Sequence, residues 1–590
     1  MSEGGPAPAH GGSAAVAAAR RHGARTMFTL SGGHVFPLYD GAVRADPPMR
    51  IIDVRHEQTA VFAAEATARL DRDPGLAVLT AGPGVTNGVS AITTAHFNGS
   101  AVVIIGGRAP DYRWGSGSLQ EIDHPRLLAP VTKRAWTEHE AGQVGSSVDE
   151  AFRLATARHR GPVFLDIALE ALFGPAGPAG GTGPAGGNGP SGGNGPSGGY
   201  SPSGGGAAAA ADRSSPDMPD PGSVSVIAGL LAAARRPVLV LGSDVWLDGA
   251  EQAARQAAEE LRLPVIANGQ GRGVLPAGHE LLVTRARSTA FGQADLVIVV
   301  GTPLDFRLGY GEFGGRAGAP RAQVVHVADA PGQVATHCPL AASAAGDLAA
   351  FFTGLTAAAA PAAHAPAAHA PAAPGWAGTW LPLLQAARDK AVAADGPLLA
   401  SDADPIHPMR IYGELAKILD SDAVVIGDGG DFVSYAGKYI EPRRAGNWLD
   451  PGPYGCLGTG LGYAIAARIA RPSAQVVLLL GDGAAGFSLM DADTLVRHRL
   501  PVVMIVGNNG IWGLEKHPMQ ALYGYDVAAD LQPQCRYDQV VAALGGAGEL
   551  VTSPAGIGPA LRRAFGSGVP YLVNVSTDPR VSYPRSTTGI

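Results

Sequence analysis

A glycine-rich segment between Ala474 and Leu514 carries the residue types and spacing best suited to cation and phosphate chemistry. It contains Gly481-Asp482-Gly483 after one apolar run and Asn508-Asn509 after a second, with 24 residues between Gly483 and Asn508. Carboxylate and amide oxygens suit a hard cation such as Mg²⁺, and glycines let backbone amides approach a phosphate. The pattern predicts a magnesium–diphosphate site.

The same glycines also satisfy a weaker pattern. Gly481, Gly483 and Gly486 match the GxGxxG spacing of dinucleotide-binding loops. A carboxylate beside a pyrophosphate is repulsive unless a divalent metal lies between them, and the paired asparagines have no role in a dinucleotide site. A dinucleotide loop, or glycines that only make turns, is therefore the weaker interpretation.

The elements around this segment are predicted to place its two loops side by side. The runs 476–480 and 502–506 have the composition of buried parallel strands, and a helical stretch between them continues to Arg499. Such a βαβ crossover brings both loops to the carboxyl edge of one sheet, where ligands bind.

Apolar strands alternate with helices in three blocks of the chain. This alternation predicts an α/β fold with three open parallel-sheet domains. The predicted domains are residues 14–172, 222–355 and 379–590. They are joined by a Gly/Pro-rich linker at 173–221 and an Ala/Pro/His linker at 356–378.

Composition excludes several functional classes. The 590 residues carry a net charge of −7 without a long basic run, which argues against nucleic-acid binding. Cys338, Cys456 and Cys535 lie far apart, which argues against a disulfide framework or a zinc site. No apolar run reaches the length of a membrane span, and the N-terminus lacks the pattern of a secretory signal. A soluble cytoplasmic protein is expected.

The GDG and NN pattern resembles the signature of the thiamine-diphosphate enzymes. The resemblance covers nearly the whole chain except the linkers. It points to the acetolactate synthase/decarboxylase group, and most of all to 2-hydroxyacyl-CoA lyase and benzaldehyde lyase. It implies pyrimidine-binding, central and diphosphate-binding domains in that order. It also implies that Asp482, Asn509 and the backbone carbonyl of Ile511 bind Mg²⁺.

Glu57 begins a helix in the sequence His56-Glu57-Gln58-Thr59-Ala60. A glutamate in the first turn of a helix is ordinarily explained by the helix dipole. The stretch also resembles the family motif whose glutamate hydrogen-bonds the cofactor aminopyrimidine and thereby activates the thiazolium ring. The resemblance therefore implies that Glu57 is catalytic.

His34 and Gln120 are the candidates for contact with the substrate. Ser31-Gly32-Gly33-His34 resembles the histidine-containing loop of benzaldehyde lyase, whereas acetolactate synthases usually have Pro-Gly-Gly here. Gln120 matches a family glutamine near the reactive carbon of the cofactor. The resemblance implies that both side chains handle the hydroxyl proton of a substrate. The nearby loop from Thr80 to Asn87 is expected to be structural support.

The remaining cofactor contacts are implied by glycine-rich loops of the third domain. Leu457 is expected to push the two cofactor rings into a V, while Trp512 and Leu514 are expected to line the substrate pocket. The implied cofactor-binding residues are Gly430, Asp431, Phe432, Gly455, Leu457, Gly481, Asp482, Gly483, Ala484, Asn509, Ile511, Trp512 and Gly513.

Other ligands are implied less directly. ADP or the adenosine of CoA is a candidate ligand of the central domain, with Arg307 and Arg316 as contacts. FAD is less expected, because Thr302-Pro303 replaces the arginine of FAD-binding members. Arg580 and Arg585 in the C-terminal tail are candidates for phosphate contacts. Asp493 is either a solvated helix acid or a site residue.

The predicted activity is that of a thiamine-diphosphate-dependent C–C bond lyase or carboligase. Cleavage of a 2-hydroxyacyl-CoA to an aldehyde or ketone plus formyl-CoA is the preferred reaction. Acetolactate synthesis from 2-ketoacids is the alternative, and a non-catalytic subunit of the same fold is the second alternative. The expected partners are a small-molecule substrate, such as a 2-hydroxyacyl-CoA, acyloin or 2-ketoacid, and further copies of the chain. A homodimer or homotetramer would place the active sites between subunits.

Overall fold

The structure is a computed structural model that describes residues 9–176, 218–316, 318–359 and 375–583. Most of the predicted linker at 173–221 lies outside the described residues, as do residues 360–374 of the second predicted linker. Arg585 also lies outside them.

The first domain is a six-stranded parallel sheet with helices on both faces. Its strand order is β2-β1-β3-β4-β6-β5. The strands are β1 (Thr26–Thr29), β2 (Arg50–Asp53), β3 (Gly75–Leu79), β4 (Val102–Arg108), β5 (Ala135–Glu138) and β6 (Val163–Ala168). The helices are α1 (Gly11–Arg21), α2 (Phe36–Arg44), α3 (Glu57–Asp71), α4 (Pro83–Thr86), α5 (Val89–Phe97), α6 (His124–Leu128), α7 (Val144–Thr156) and α8 (Leu169–Phe173).

The central domain is a five-stranded parallel sheet of order β11-β10-β9-β7-β8. Its strands are β7 (Pro237–Leu241), β8 (Val265–Ala267), β9 (Leu296–Val300), β10 (Gln323–Ala328) and β11 (Ala342–Ala345). Its helices are α9 (Pro221–Ala233), α10 (Ser243–Leu247), α11 (Glu251–Glu260), α12 (Arg287–Gln293) and α13 (Leu348–Ala359).

A long helix, α14 (Gly375–Leu399), follows the central domain. Its residues Trp376, Trp380 and Leu384 pack into the apolar core of the central domain. The boundary predicted at residue 379 therefore falls inside a helix whose first half packs against the preceding domain.

The third domain repeats the six-stranded parallel arrangement, in the order β13-β12-β14-β15-β17-β16. Its strands are β12 (Val424–Asp428), β13 (Trp448–Leu449), β14 (Val476–Gly481), β15 (Val503–Asn508), β16 (Ala547–Val551) and β17 (Tyr571–Ser576). Its helices are α15 (Met409–Leu415), α16 (Asp431–Tyr439), α17 (Thr459–Ala470), α18 (Asp482–Ser488), α19 (Ala492–Arg497), α20 (Gly513–Tyr523), α21 (Tyr537–Ala543) and α22 (Pro554–Gly566).

The predicted fold class, three open parallel-sheet α/β domains, is confirmed. The strands that position the site are continuous apolar runs because both faces of each sheet are covered by helices. In the third sheet β14 pairs with β12 on one side and with β15 on the other. The loops after these three strands consequently meet at one edge.

The first and third domains share one apolar core, centred on α3 and α17. The two helices run parallel, since Gln58 lies beside Gly458 at their starts and Arg471 reaches Asp71 at their ends, 2.6 Å away. Between these points the Tyr463 hydroxyl donates to the buried Glu65 carboxylate at 2.9 Å. This packing brings the start of the Glu57 helix beside the loop that precedes α17.

Among the described residues, no helix has both the length and the apolar character needed to cross a bilayer.

Candidate active site

A cavity of about 340 Å³ lies at the carboxyl edge of the third sheet. The loops after β12, β14 and β15 form its walls together with the loop that precedes α17. Eleven of the predicted cofactor-binding residues line it: Gly430, Asp431, Gly455, Leu457, Gly481, Asp482, Gly483, Ala484, Ile511, Trp512 and Gly513. Its size is that of ordinary small-molecule sites, about 300–1,000 Å³.

Two predicted contacts do not line the cavity. Phe432 is buried beneath it, with its ring in the space that a Cβ on Gly507 would need. Asn509 belongs to the turn after β15, where its Oδ1 accepts a hydrogen bond from Ile511 N at 3.2 Å. Phe432 is thus placed as a support for the loops, whereas Asn509 belongs to the same turn as Ile511, which lines the cavity.

Asp482 joins the loop after β14 to the loop after β15. Its side chain is 4% exposed, and it accepts hydrogen bonds from Gly483 N at 3.0 Å and from Gly510 N at 2.6 Å. Burial raises the pKa of this carboxyl to about 6, although the two amides oppose the shift. A divalent cation would stabilise the ionised form, so the donor set fits a magnesium site.

Close approach of the loops depends on glycine. A Cβ on Gly483 would lie 2.4 Å from the Trp512 ring, and one on Gly513 would lie 2.4 Å from Asp431 Oδ2. Gly429 adopts a positive φ of 126° beside Gly481. The glycines of this site therefore allow backbones and side chains to meet around the cavity.

Asp428 holds the loop that carries Leu457. This fully buried carboxylate ends β12 and accepts hydrogen bonds from Gly458 N at 3.1 Å and Gly460 N at 2.8 Å. It thus caps the start of α17 from a neighbouring strand. Burial raises the pKa of Asp428 to about 7. The sequence predicts a glycine-rich loop here but does not reveal that its aspartate holds the start of α17.

A second group of candidate residues surrounds the loop from Thr80 to Gly84 in the first domain. Thr80 Oγ1 lies 3.3 Å from His34 Nδ1. A Cβ on Gly82 would lie 2.7 Å from Gln120 Cβ, and one on Gly84 would lie 3.8 Å from Glu57 Oε1. The structure therefore brings Glu57, His34 and Gln120 around one loop, although none of the three lines the cavity of the third domain.

Glu57 is 7% exposed at the first position of α3. Its Oε2 accepts a hydrogen bond from Asn87 Nδ2 at 3.0 Å. The preceding residue, His56, caps the helix through a 3.2 Å bond from Gln58 N to its ring. Asn87 thus orients the candidate catalytic carboxylate. The sequence predicts only structural support for the loop that ends at Asn87.

A buried pair supports this loop from below. His124 Nε2 accepts a hydrogen bond from Gly82 N at 2.9 Å, while its Nδ1 lies 3.1 Å from Asp166 Oδ1. Both side chains have no exposed surface. Burial, together with the nearby His124, lowers the pKa of His34 and so favours its neutral form. His124 and Asp166 belong to no motif and were missed.

Of the four described candidate contacts outside these two clusters, three form ion pairs with neighbouring residues and one is exposed. Arg307 forms a 2.7 Å ion pair with Asp305, and Arg580 forms a 2.9 Å pair with Asp578. Arg316 is exposed. Asp493 pairs with Arg497 at 2.8 Å near the surface, which is the behaviour of a solvated helix acid.

A larger cavity, about 690 Å³, lies where the three domains meet at the carboxyl edge of the central sheet. Arg307 and Pro303 line it, but Arg316 does not. Two of its lining side chains already have acidic partners outside the lining: His159 pairs with Asp329 at 2.8 Å and Arg160 with Asp248 at 3.2 Å. A nucleotide ligand in this cavity stays a prediction.

Comparison with known proteins decides the family. Three domain models match in order: the thiamine pyrophosphate enzyme N-terminal TPP binding domain at residues 9–127, the central domain at 224–355 and the C-terminal TPP binding domain at 428–575. The chain belongs to the thiamine pyrophosphate enzyme family. It is therefore a thiamine-diphosphate-dependent enzyme, and the interpretation as a non-catalytic subunit is set aside.

Curated relatives of this enzyme carry two activities in their names. A probable acetolactate synthase of Mycobacterium bovis and an acetolactate synthase large subunit of Mycobacterium tuberculosis are each 46% identical to it, over 98% of this chain and 97% of theirs. The 2-hydroxyacyl-CoA lyase 2 of Caenorhabditis elegans is 32% identical, over 92% of this chain and 84% of its own. The relatives therefore favour the alternative of the sequence-based prediction over its preferred lyase activity.

Proposed function

We propose that this enzyme is an acetolactate synthase, which joins two molecules of pyruvate and releases CO₂. The observation that carries this proposal is the 46% identity, over almost the full length of both chains, to proteins named as acetolactate synthases. The lyase relatives are more distant, at about 32% identity. The preferred prediction from sequence, cleavage of a 2-hydroxyacyl-CoA, accordingly becomes the second candidate.

The third domain would hold the cofactor by its diphosphate. Asp482, Asn509 and the Ile511 carbonyl would bind Mg²⁺, and backbone amides after β12 and β14 would face the phosphates. The fit rests on a buried carboxylate beside a cavity that is lined by glycines. When bound, thiamine diphosphate supplies a nucleophilic carbon and an electron sink for the carboligation.

Glu57 would supply the carboxylate that the aminopyrimidine end of the cofactor needs. Asn87 orients this carboxylate at 3.0 Å, and burial protects it from water. Leu457 lines the cavity wall beside α3, where it would set the angle between the two cofactor rings. Each of these residues acts by holding a group in place rather than by forming a covalent bond.

His34 and Gln120 would face the substrate above Glu57. A neutral His34 can donate or accept a proton, and its Nδ1 is directed by Thr80. In the proposed reaction the two side chains would handle the proton of the hydroxyl group that forms when the second pyruvate adds. Trp512 and Leu514 would line the same pocket from the third domain.

The second candidate has one observation in its favour. His34 lies where acetolactate synthases usually have Pro-Gly-Gly, and a histidine is the feature shared with benzaldehyde lyase. A His34→Ala variant tests the role of this side chain in either reaction. It should lose at least about tenfold in any activity that moves a hydroxyl proton through this side chain.

Substrate competition tests the proposal directly. Purified enzyme with thiamine diphosphate and Mg²⁺ should form acetolactate from pyruvate with a higher kcat/KM than it releases formyl-CoA from any 2-hydroxyacyl-CoA. Strong formyl-CoA release without acetolactate would contradict the proposal and favour the lyase.

The enzyme is further proposed to act as a homodimer or homotetramer, in which the first domain of one subunit faces the third domain of another. Exposed apolar side chains beside Gln120 support this, since Tyr112 is 73% exposed and Leu119 is 78% exposed. A second copy of the chain would cover them.

A further inference from the structure

One buried carboxylate of the third domain, Asp491, contacts the helix that carries Glu57. Asp491 lies in the chain segment that connects β14 to β15 and is 1% exposed. Its Oδ1 accepts a hydrogen bond from Arg55 N at 2.7 Å, and its Oδ2 accepts one from Thr59 Oγ1 at 2.6 Å. Thr494 Oγ1 donates a third bond at 2.9 Å. Thr494 of the third domain thus orients the carboxylate, which in turn binds two residues of the first domain.

The two residues that Asp491 holds flank Glu57 at equal distance along the chain. Arg55 lies two residues before it and Thr59 two residues after it, so the carboxylate spans the first turn of α3. Arg55 precedes His56, the N-cap of α3, so its amide lies just outside the helix. A negative charge beside the first turn of a helix is stabilised by the helix dipole. Asp491 therefore fixes the position and the direction of the turn from which the Glu57 side chain projects.

Burial of the Asp491 carboxylate away from water costs free energy. Burial raises the pKa of Asp491, while the bonds from Thr59 and Arg55 oppose the shift. Burying a charge lowers the free energy of unfolding unless hydrogen bonds or ion pairs compensate for the lost water. The three hydrogen bonds to Asp491 supply this compensation. Asp493, two residues away, differs from Asp491 because it pairs with Arg497 near the surface. Its contact with the first domain is a longer one, 3.8 Å from its Oδ2 to Arg55 Nε.

We propose that Asp491 is a positioning residue for cofactor activation, which holds Glu57 at the place where its carboxylate meets the aminopyrimidine. The inference rests on the proposed role of Glu57. It concerns a contact within one chain, and it holds for a synthase and for a lyase alike, because both reactions begin with the same activated cofactor.

Amide hydrogen exchange of the cofactor-free protein tests the contact itself. In Asp491→Ala the amides of residues 55–59 should exchange at least about tenfold faster than in the wild type, because Arg55 N loses its acceptor. The matched control, Asp493→Ala, removes a carboxylate two residues away and should leave this exchange unchanged. Equal protection in wild type and Asp491→Ala would overturn the proposal.

Exchange of the C2 proton of bound thiamine diphosphate, followed by NMR after acid quench, tests the consequence without any substrate. Asp491→Ala should slow this exchange by about 10- to 100-fold, the range expected for a misplaced group, while cofactor affinity changes less than threefold. Asp491→Asn should recover part of the rate, because its amide can accept from Arg55 N and donate to Thr59 Oγ1. A C2 exchange rate in Asp491→Ala equal to that of the wild type contradicts the proposal.

Two further variants distinguish a failure of the proposal for Asp491 from a failure of the proposed role of Glu57. Thr59→Val removes one of the two bonds in a side chain of nearly equal shape, and should slow C2 exchange in the same direction if Asp491→Ala does not fold. Glu57→Gln should slow C2 exchange more than either variant. If Glu57→Gln exchanged at the wild-type rate, the role of Glu57 would fail as well, whereas a slow Glu57→Gln beside a normal Asp491→Ala would overturn only the positioning role.

Discussion

Three buried aspartates of the third domain act in different ways at the scale of single residues. Asp482 borders the cavity, Asp428 holds the loop before α17, and Asp491 reaches into the first domain. Each accepts backbone or hydroxyl hydrogen bonds rather than pairing with a base. A carboxylate of this kind is sensitive to its protonation state, because a proton removes one acceptor position.

Asp428 gives the cofactor-free protein a predictable pH dependence. Its pKa rises from 3.8 to about 7 on folding, so the folded state holds an extra proton between these values. Its contribution therefore favours folding at low pH and is lost as the pH rises towards about 7. The free energy of unfolding is measured by denaturant titration for the wild type and for Asp428→Asn. The wild type should lose stability relative to Asp428→Asn as the pH rises from about 5 to about 7, because the Asn side chain does not titrate. A difference that stays constant over this range would contradict the assignment.

At the scale of elements, the short helix α18 contains two glycines, Gly483 and Gly486, and only Gly483 faces a close neighbour. A Cβ on Gly483 would lie 2.4 Å from the Trp512 ring, whereas Gly486 in the same helix has open space around it. Gly483→Ala should displace Trp512 and the turn that bears Asn509, at a cost of about 1–3 kcal/mol. Gly486→Ala is the matched control.

The measurement for this pair is the Kd for thiamine diphosphate in excess Mg²⁺, followed by tryptophan fluorescence. Gly483→Ala should bind the cofactor roughly tenfold more weakly or worse, in line with that cost. Gly486→Ala should bind within about twofold of the wild type. Equal affinity of the two variants would show that the close contact does not shape the site.

The strands and the cofactor-side loops could be predicted because their signals are local. The runs before Gly481 and Asn508 are apolar and short, and the glycines and acids that follow them are adjacent in sequence. Asp491, His124 and Asp428 could not be found in this way. Their hydrogen-bond partners are distant in sequence. Gly82 lies 42 residues from His124 and Gly458 lies 30 residues from Asp428, within one domain in each case. Arg55 lies 436 residues from Asp491 and meets it only because the first and third domains pack together.

At the scale of the whole molecule, the two halves of the site lie in different domains. The loop from Thr80 to Gly84 gathers Glu57, His34 and Gln120, while the cavity proposed to hold the diphosphate lies at the edge of the third sheet. In the proposed oligomer a second subunit would cover the exposed apolar side chains near Gln120, such as Leu119, and complete the site. Activity should then depend on assembly.

Leu119→Glu tests this dependence, because it places a charge on a side chain that is 78% exposed in the single chain. The variant should shift from dimer or tetramer towards monomer in light scattering and lose activity in proportion. Val226→Glu, at a 54% exposed position of the central domain, should change neither property. A fully active monomer would contradict active sites between subunits.

The most direct test of the central claim is the rate of acetolactate formation from pyruvate by the purified enzyme and by Glu57→Gln. We predict turnover by the wild type that requires both thiamine diphosphate and Mg²⁺, and a loss of at least about 100-fold in Glu57→Gln, where the catalytic carboxylate is neutral. Wild-type enzyme that forms no acetolactate, or a Glu57→Gln variant with undiminished turnover, would contradict the account.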